Sequence, residues 1–326
     1  MLRFFLIFVA VTFLLCGGTF CQDGTQNIAD VYKILQDHNI PFDANKTRRV
    51  TVETLVKAVD PGAVLYTAEQ FHKFLLEKSV EKEEEWPEDI CYLKIKGIYR
   101  DGSEEIAGRL MNWNAAGKAG VILDLRGAGG ENLASVDRIT GLYVSGDPLL
   151  YQLKDGCGSV VKNHRLNLES KLLGGNMPLM VLVDGATGEA SELLAALLKN
   201  RAGVLLIGAK TKGDANVREN IVVSKDEIIH IAAKRIVING LQYDLKGVEP
   251  DIVVTADAGK ENRKLLAKAI SVKPESEKAR NDRALMEKVY PDPVLLRTTD
   301  ILLGMKATVS YGIKTTTDTP TPAGSR

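Results

Sequence analysis

What this chain lacks narrows its chemistry first. It holds only four histidines, widely spaced, and four cysteines with no Cys-x-x-Cys pair. Neither set has the spacing of metal ligands, so no metal is expected. An excess of charge is missing too. Its 42 Lys+Arg balance 42 Asp+Glu, and a chain without a net field gives no reason to expect nucleic acid or an anionic lipid surface as a partner. Beyond the N-terminus no apolar run is long enough to cross a bilayer, so no membrane span is expected once the leader is gone.

The leader is the one long apolar run. Arg3 supplies a positive start, Phe4 to Cys16 is apolar but short for a span, and Gly17, Gly18 and Thr19 follow as small residues. This is the layout of a signal peptide over residues 1–21, cleaved near Cys21. Lipid attachment through Cys16 or Cys21 is the alternative, set against it by bulky Leu15 and Phe20 where a lipoprotein signal needs a small residue. Export places the mature chain in a periplasmic or secreted, oxidising space. There Cys91 and Cys157 either pair or remain two buried thiols.

The remaining hydrophobic residues, in a chain with an apolar share of 45%, fall into two textures. Residues 22–78 read as a helical region. Ile28, Val31, Tyr32 and Leu35 keep helical spacing, Val52, Leu55, Val56 and Val59 keep it again, and Asp60-Pro61-Gly62 breaks it. Thr67-Ala-Glu-Gln70 is a capping-box signature for a further helix from Phe71 to Leu76. The charge run Val80-Glu-Lys-Glu-Glu-Glu-Trp-Pro87 reads as a solvated linker over 79–88. From Asp89 to about 257, strands alternate with helices. Cys91–Ile98 alternates apolar and polar residues, Ala119–Arg126 and Pro178–Val183 are near-continuous apolar runs of buried parallel strands, and helices are expected over Ala107–Ala116, Leu133–Leu142 and from Ala190. Val204–Ile207, Ile221–Ser224, Ile228–Ala232, Arg235–Ile238 and Asp251–Val254 are further strands. The fold class expected is α/β with a mainly parallel sheet. Glu261–Ser271 and Pro293–Met305 read as helices within 258–310, and the Thr- and Pro-rich residues 311–326 as a disordered tail.

Several of these segments, in this order, resemble the carboxyl-terminal processing (tail-specific) serine peptidases. The carriers are Val121–Arg126 with Gly129-Gly130, Leu182–Glu192, Ile207–Gly213, Gly247-Val-Glu-Pro-Asp251 and, in the N-terminal region, Val59-Asp-Pro-Gly and Tyr66–Phe71. The resemblance implies a crotonase/Clp-like peptidase core, no cofactor, and a peptide or unfolded protein segment as partner. It also implies a serine nucleophile, a lysine that accepts its proton, a glutamine that orients the lysine, and backbone N–H groups as an oxyanion hole. Aligned without gaps, Glu189 stands at the nucleophile, Asp214 at the lysine and Arg218 at the glutamine. Gly129, Gly130 and Ala190 are the oxyanion-hole candidates. The peptide-binding PDZ domain that the family places between its helical region and first core strand is absent.

Three readings follow. In the first, the chain is an exported, catalytically degenerate member that binds peptides or proteins, with Arg218 neutralising Glu189 or Asp214. In the second, it is an active serine endopeptidase with a shifted dyad, Ser191 with Lys212 or Lys210. In the third, Glu189 and Asp214 meet without a cation in one open pocket, and one of them serves as a general acid. The plainest role for each acid is local: Glu189 as a helix-start carboxylate favoured by the dipole, Asp214 as a turn residue.

Overall fold

The computed structural model describes residues 23–146, 148–166, 173, 177–243, 246–255 and 276–310. The leader over 1–21, the helix expected at Glu261–Ser271 and the tail over 311–326 lie outside these residues. In chain order the first elements are α1 (Asp23–Asp37), α2 (Ala44–Val59), β1 (Val64–Thr67), α3 (Ala68–Leu75), β2 (Val80–Trp86), β3 (Ile90–Ile95) and β4 (Gly97–Ile98). The middle of the chain forms α4 (Gly102–Ala115), β5 (Gly120–Asp124), β6 (Gly129–Gly130), α5 (Leu133–Gly141), β7 (Leu149–Lys154), β8 (Val160–Arg165), β9 (Leu179–Val183) and α6 (Glu189–Ala202). Then come β10 (Leu205–Gly208), β11 (Asn216–Ser224), β12 (Glu227–Ile238), β13 (Leu241–Gln242), β14 (Ile252–Val253), α7 (Glu277–Val289) and α8 (Pro293–Ser310).

The central sheet has the order β14-β10-β9-β5-β3-β2. Every pairing from β14 to β3 is parallel, and β2 closes the sheet antiparallel. Strands β5 and β9 are buried along their whole length, which is why they read as unbroken apolar runs. Their side chains still alternate between two cores. Val121, Leu123, Val181 and Val183 pack among residues of α4, α5 and α6, whereas Ile122, Met180 and Leu182 pack with residues of α7 and α8. Helix α6 is buried from Ala190 to Leu198, with its apolar residues in the first of these cores and Ser191 and Glu192 as buried polar members.

The charge run at 80–86 is not a linker. It is the edge strand β2, in register with β3 from Glu83↔Leu93 to Trp86↔Ile90. An edge strand faces water along most of its length, so it carries no apolar alternation to read, and charges on it discourage pairing with other chains. Trp86 anchors its end by stacking on Tyr92 at 4.8 Å. Its glutamates tie the edge to neighbours through Glu83–Arg109 at 2.6 Å, Glu85–Lys118 at 2.6 Å and Glu84–Lys288 at 2.8 Å. Only residues 76–79 separate α3 from β2, which leaves no room there for a peptide-binding domain.

Two other expectations change. Within the region read as helical, Val64–Thr67 forms β1 and pairs antiparallel with Glu227–His230 of β12. Thr67 then switches the chain to helix: its hydroxyl accepts from the Gln70 N–H at 3.2 Å, and Gln70 Oε1 accepts from the Thr67 N–H at 2.9 Å. The short strands expected after Asn216 are two long ones, β11 and β12, in a second, antiparallel sheet with β1, β7, β8 and β13. Cys91 is a free thiol with no exposure, so it does not pair with Cys157.

Candidate functional site

The site forms where β9 gives way to α6. Past Val183, the Asp184 carboxylate accepts the N–H groups of Ala186 at 3.0 Å, Thr187 at 2.9 Å and, from the neighbouring turn, Gly127 at 3.0 Å. The buried Thr187 hydroxyl donates to Leu125 O at 2.8 Å. These bonds weld the turn to the end of β5. The chain leaves Gly188 extended and enters α6 at Glu189 with φ of 52°. A left-handed φ on a non-glycine residue costs on the order of 1 kcal/mol or more. It turns the Glu189 side chain sharply out of the helix start.

The carboxylate is received on both oxygens. Oε2 accepts the Gly130 N–H at 2.9 Å, and Oε1 lies 3.3 Å from Arg218 Nε. A Cβ on Gly129 would stand 2.8 Å from Oε2, so a glycine there is what lets the carboxylate approach. Burial pushes the Glu189 pKa up, against the opposing pull of Arg218 and the Gly130 N–H.

Arg218, on β11, is the hub. Its side chain is 2% exposed, and its fork meets three acids. Nη1 donates to Asp60 Oδ2 at 2.6 Å, Nη2 to Asp214 Oδ1 at 2.8 Å and Oδ2 at 3.0 Å, and Nε faces Glu189 without hydrogen-bond geometry. Asp60 comes from the break after α2 and also accepts the N–H groups of Gly62 at 2.9 Å and Ala232 at 2.9 Å. Burial opposes its ionisation, but the Ala232 N–H and Arg218 hold its pKa below the usual range. A Cβ on Gly62 would come within 2.2 Å of Arg218 Nη2, so that backbone packs directly on the guanidinium.

The backbone of the Thr211–Asp214 loop is set by one acid beneath it. Glu192, with no exposure, accepts the Thr211 hydroxyl, the Gly213 N–H at 2.7 Å and the Asp214 N–H at 2.6 Å. Burial raises its pKa, and these three donors work the other way.

The structure therefore gathers Glu189, Asp214 and Arg218 into one cluster with Asp60. It does not gather Ser191 with either lysine. Ser191 has no exposure, and its hydroxyl donates to Gly129 O at 2.6 Å. Lys212 pairs with Asp214 at 2.9 Å and Lys210 with Glu249 at 2.7 Å. The two acids do meet, but across a guanidinium, so the bare carboxylate pair of the third reading is not formed. The expected oxyanion donors are engaged as well: Gly130 N–H by Glu189, and Gly129 N–H by Lys96 O at 3.2 Å. Ala190 is buried in the first turn of α6. Among the described residues no group of three metal-ligating side chains has the geometry of a metal site; where three acids converge, Arg218 fills the place of the cation.

Asp60 and Glu192 were not among the expected site residues. Asp60 lies 158 residues from Arg218, and its marks were the Asp-Pro-Gly break and a place in the Val59-Asp-Pro-Gly segment, neither of which points to the site. Alongside them stands a second, uncharged group. Tyr66 and Phe74 pack against His230, with centroids 6.2 Å and 5.5 Å away, and Phe71 and Tyr99 pack in turn on Tyr66 and Phe74. Burial and then Arg218 push the His230 pKa down to about 4, so the ring is neutral at ordinary pH.

The profile of peptidase family S41 matches residues 89–254, just over half of the chain. The chain is 25% identical over 167 residues to the carboxy-terminal processing protease CtpA of Bacillus subtilis, covering 50% of this chain and 34% of that one. It is 24% identical over 173 residues to the tail-specific protease of Haemophilus influenzae, covering 50% and 24% respectively. The chain thus spans about a third or less of the length of these relatives. Among solved structures, a protein from Parabacteroides merdae superposes with a TM-score of 0.53 at 13% identity, covering 88% of this chain and 91% of that one. A lipoprotein from Streptococcus agalactiae gives 0.53 at 18% identity, covering 72% and 85%.

Proposed function

The chain belongs to peptidase family S41, and from that premise we propose that it is a catalytically silent member, exported from the cytoplasm, that binds peptide or protein segments without cutting them. The carrying observation is the Arg218 cluster. A working Ser–Lys centre needs a hydroxyl nucleophile, an amine that can be neutral, and an unoccupied donor for the developing oxyanion. Position 189 offers a carboxylate, position 214 offers a second, and the Gly130 N–H already holds the first at 2.9 Å. Losing such a nucleophile costs on the order of 10⁶ in turnover, and here its base and its orienting residue are replaced too. A carboxylate on that N–H imitates the oxyanion instead of awaiting it.

Binding is supported by the strand edges. β2 is guarded by charge, but β11 pairs only with β12 among the described residues, and Ile221, Val222 and Val223 near its tip are 50%, 72% and 41% exposed. A free, apolar edge of this kind takes an extended segment by strand addition. Export rests on Arg3 and the apolar run Phe4 to Cys16; no helix of the described residues is long and apolar enough to cross a membrane.

The test is a fluorophosphonate serine probe with a peptidase assay on purified protein. No labelling and no cleavage is the expected result. Labelling at Ser191 that disappears in Ser191→Ala would overturn the reading in favour of a shifted dyad.

A further inference from the structure

A cleft of about 410 Å³ opens beside the Arg218 cluster. Its walls place it. Glu131 follows directly on Gly130, whose N–H holds Glu189, while Val217 and Asn220 stand on β11 on either side of Arg218. Phe74, Tyr99 and Leu133 complete an apolar and aromatic wall. Phe74 and Tyr99 meet edge to face, with centroids 5.9 Å apart.

Glu131 is the unusual member. Its carboxylate is 23% exposed and lies 3.6 Å from His230 Nδ1, but that ring is neutral and bonds Asn220 Oδ1 at 2.7 Å. Glu189, the next acid, is answered by Arg218. The Asn220 side chain hydrogen-bonds the Glu131 carboxylate, but no lysine or arginine of the described residues pairs with it, and burial pushes its pKa up against that bond. A half-buried carboxylate without a cation, at the end of an aromatic-walled cleft, has the donor set that receives an organic cation: charge at the tip, rings along the stem. Arg100 is an exposed residue at the rim, where its own charge stays in water.

We propose that this cleft takes the lysine or arginine side chain of a bound segment, its cationic head on Glu131 and its methylenes against Phe74 and Tyr99. The inference rests on the peptide-binding reading above and names its specificity. A segment added to the free edge of β11 runs past the cleft, because Val217 and Asn220 belong to both.

The experiment presents a random-sequence peptide library to the immobilised protein, wild type and Glu131→Gln, and sequences what is retained and what is released. Basic residues enriched at one position on the wild type, with the enrichment lost on Glu131→Gln, is the result expected. Replacing that lysine by norleucine in a retained peptide lowers wild-type affinity about tenfold, the value of one half-buried ionic and cation–π contact, and changes Glu131→Gln binding little. The norleucine comparison on the wild type stands even if the variant folds poorly. Retention without a basic preference, or a preference for acidic residues at Arg100, overturns the cation site and leaves peptide binding intact. No retention of any peptide overturns both. Cleavage of basic peptides with the Glu131 dependence preserved supports the cation site and overturns catalytic silence.

Discussion

Arg218 is surrounded by Asp60, Asp214 and Glu189 at 2% exposure, so its removal would leave three partly buried acids facing one another. Breaking a buried pair by deleting one partner costs about 3–5 kcal/mol, because the charge left behind stays desolvated. Arg218→Met is expected to lose stability in that range in urea unfolding at neutral pH. Arg218→Lys should lose less, keeping the charge but not the fork that reaches two aspartates at once. Equal, small losses in both would mean that the cluster is solvated in solution. Glu189 makes a prediction with pH. Burial holds its folded pKa above the ordinary 4.5, so the folded protein binds that proton more tightly than the unfolded chain does. Relative to Glu189→Gln, the wild type is therefore favoured in acid, and that advantage falls as pH rises from about 4.5 through the raised folded value. Asp60 acts in the opposite sense below 3.8, but it is common to both proteins and cancels in the difference. A stability difference that is flat with pH would contradict the burial of Glu189.

Between elements, Glu192 decides where the Thr211–Asp214 loop sits on α6. Glu192→Ala strands the Gly213 and Asp214 N–H groups in the core at about 1–3 kcal/mol each. It should strip hydrogen-exchange protection from those two amides while leaving β5 protected. Retained protection at 213 and 214 would show that the loop is held by something else. The same scale explains what the sequence made legible. β5 and β9 lie between two cores, so nearly every residue in them is apolar and the pattern reads directly. β2 has water on most of its surface, and its glutamates answer Arg109, Lys118 and Lys288 on elements far along the chain. Nothing local marks such a strand. β1 was hidden differently: its four residues run straight into the capping box at Thr67, and the helix signal overran the strand. At the site, positions 189, 214 and 218 could be found because each sits inside a motif with neighbours to fix it. Asp60 joins them only through the pairing of β1 and β11 with β12, a long-range arrangement that no spacing encodes.

At the scale of the whole molecule, the question is whether the family's peptidase frame can work once its residue types stand at positions 189, 214 and 218, and Asp60 makes that testable in a graded way. Glu189→Ser frees the Gly130 N–H, Asp214→Lys supplies an amine on a backbone already fixed by Glu192, and Arg218→Gln restores the orienting amide. In that triple variant, however, Asp60 loses Arg218 and faces the new amine. An adjacent carboxylate raises a lysine pKa, and a protonated amine cannot take the serine proton. Each unit of that rise lowers the neutral fraction about tenfold at a given pH. The triple variant should therefore show its activity only at alkaline pH, and adding Asp60→Asn should move the rising limb of the pH–rate profile toward neutrality, with fluorophosphonate labelling at position 189 following the same shift. Identical profiles with and without Asp60→Asn would mean that Asp60 does not couple to position 214. No labelling in either variant would place the loss beyond these four positions, in the Gly127–Gly130 turn, whose Gly129 N–H is committed to Lys96 O. The expected order, quadruple above triple at neutral pH, follows because the N-terminal helical region contributes a charge directly to the cluster: Asp60 at the end of α2 and positions 189, 214 and 218 form one electrostatic unit.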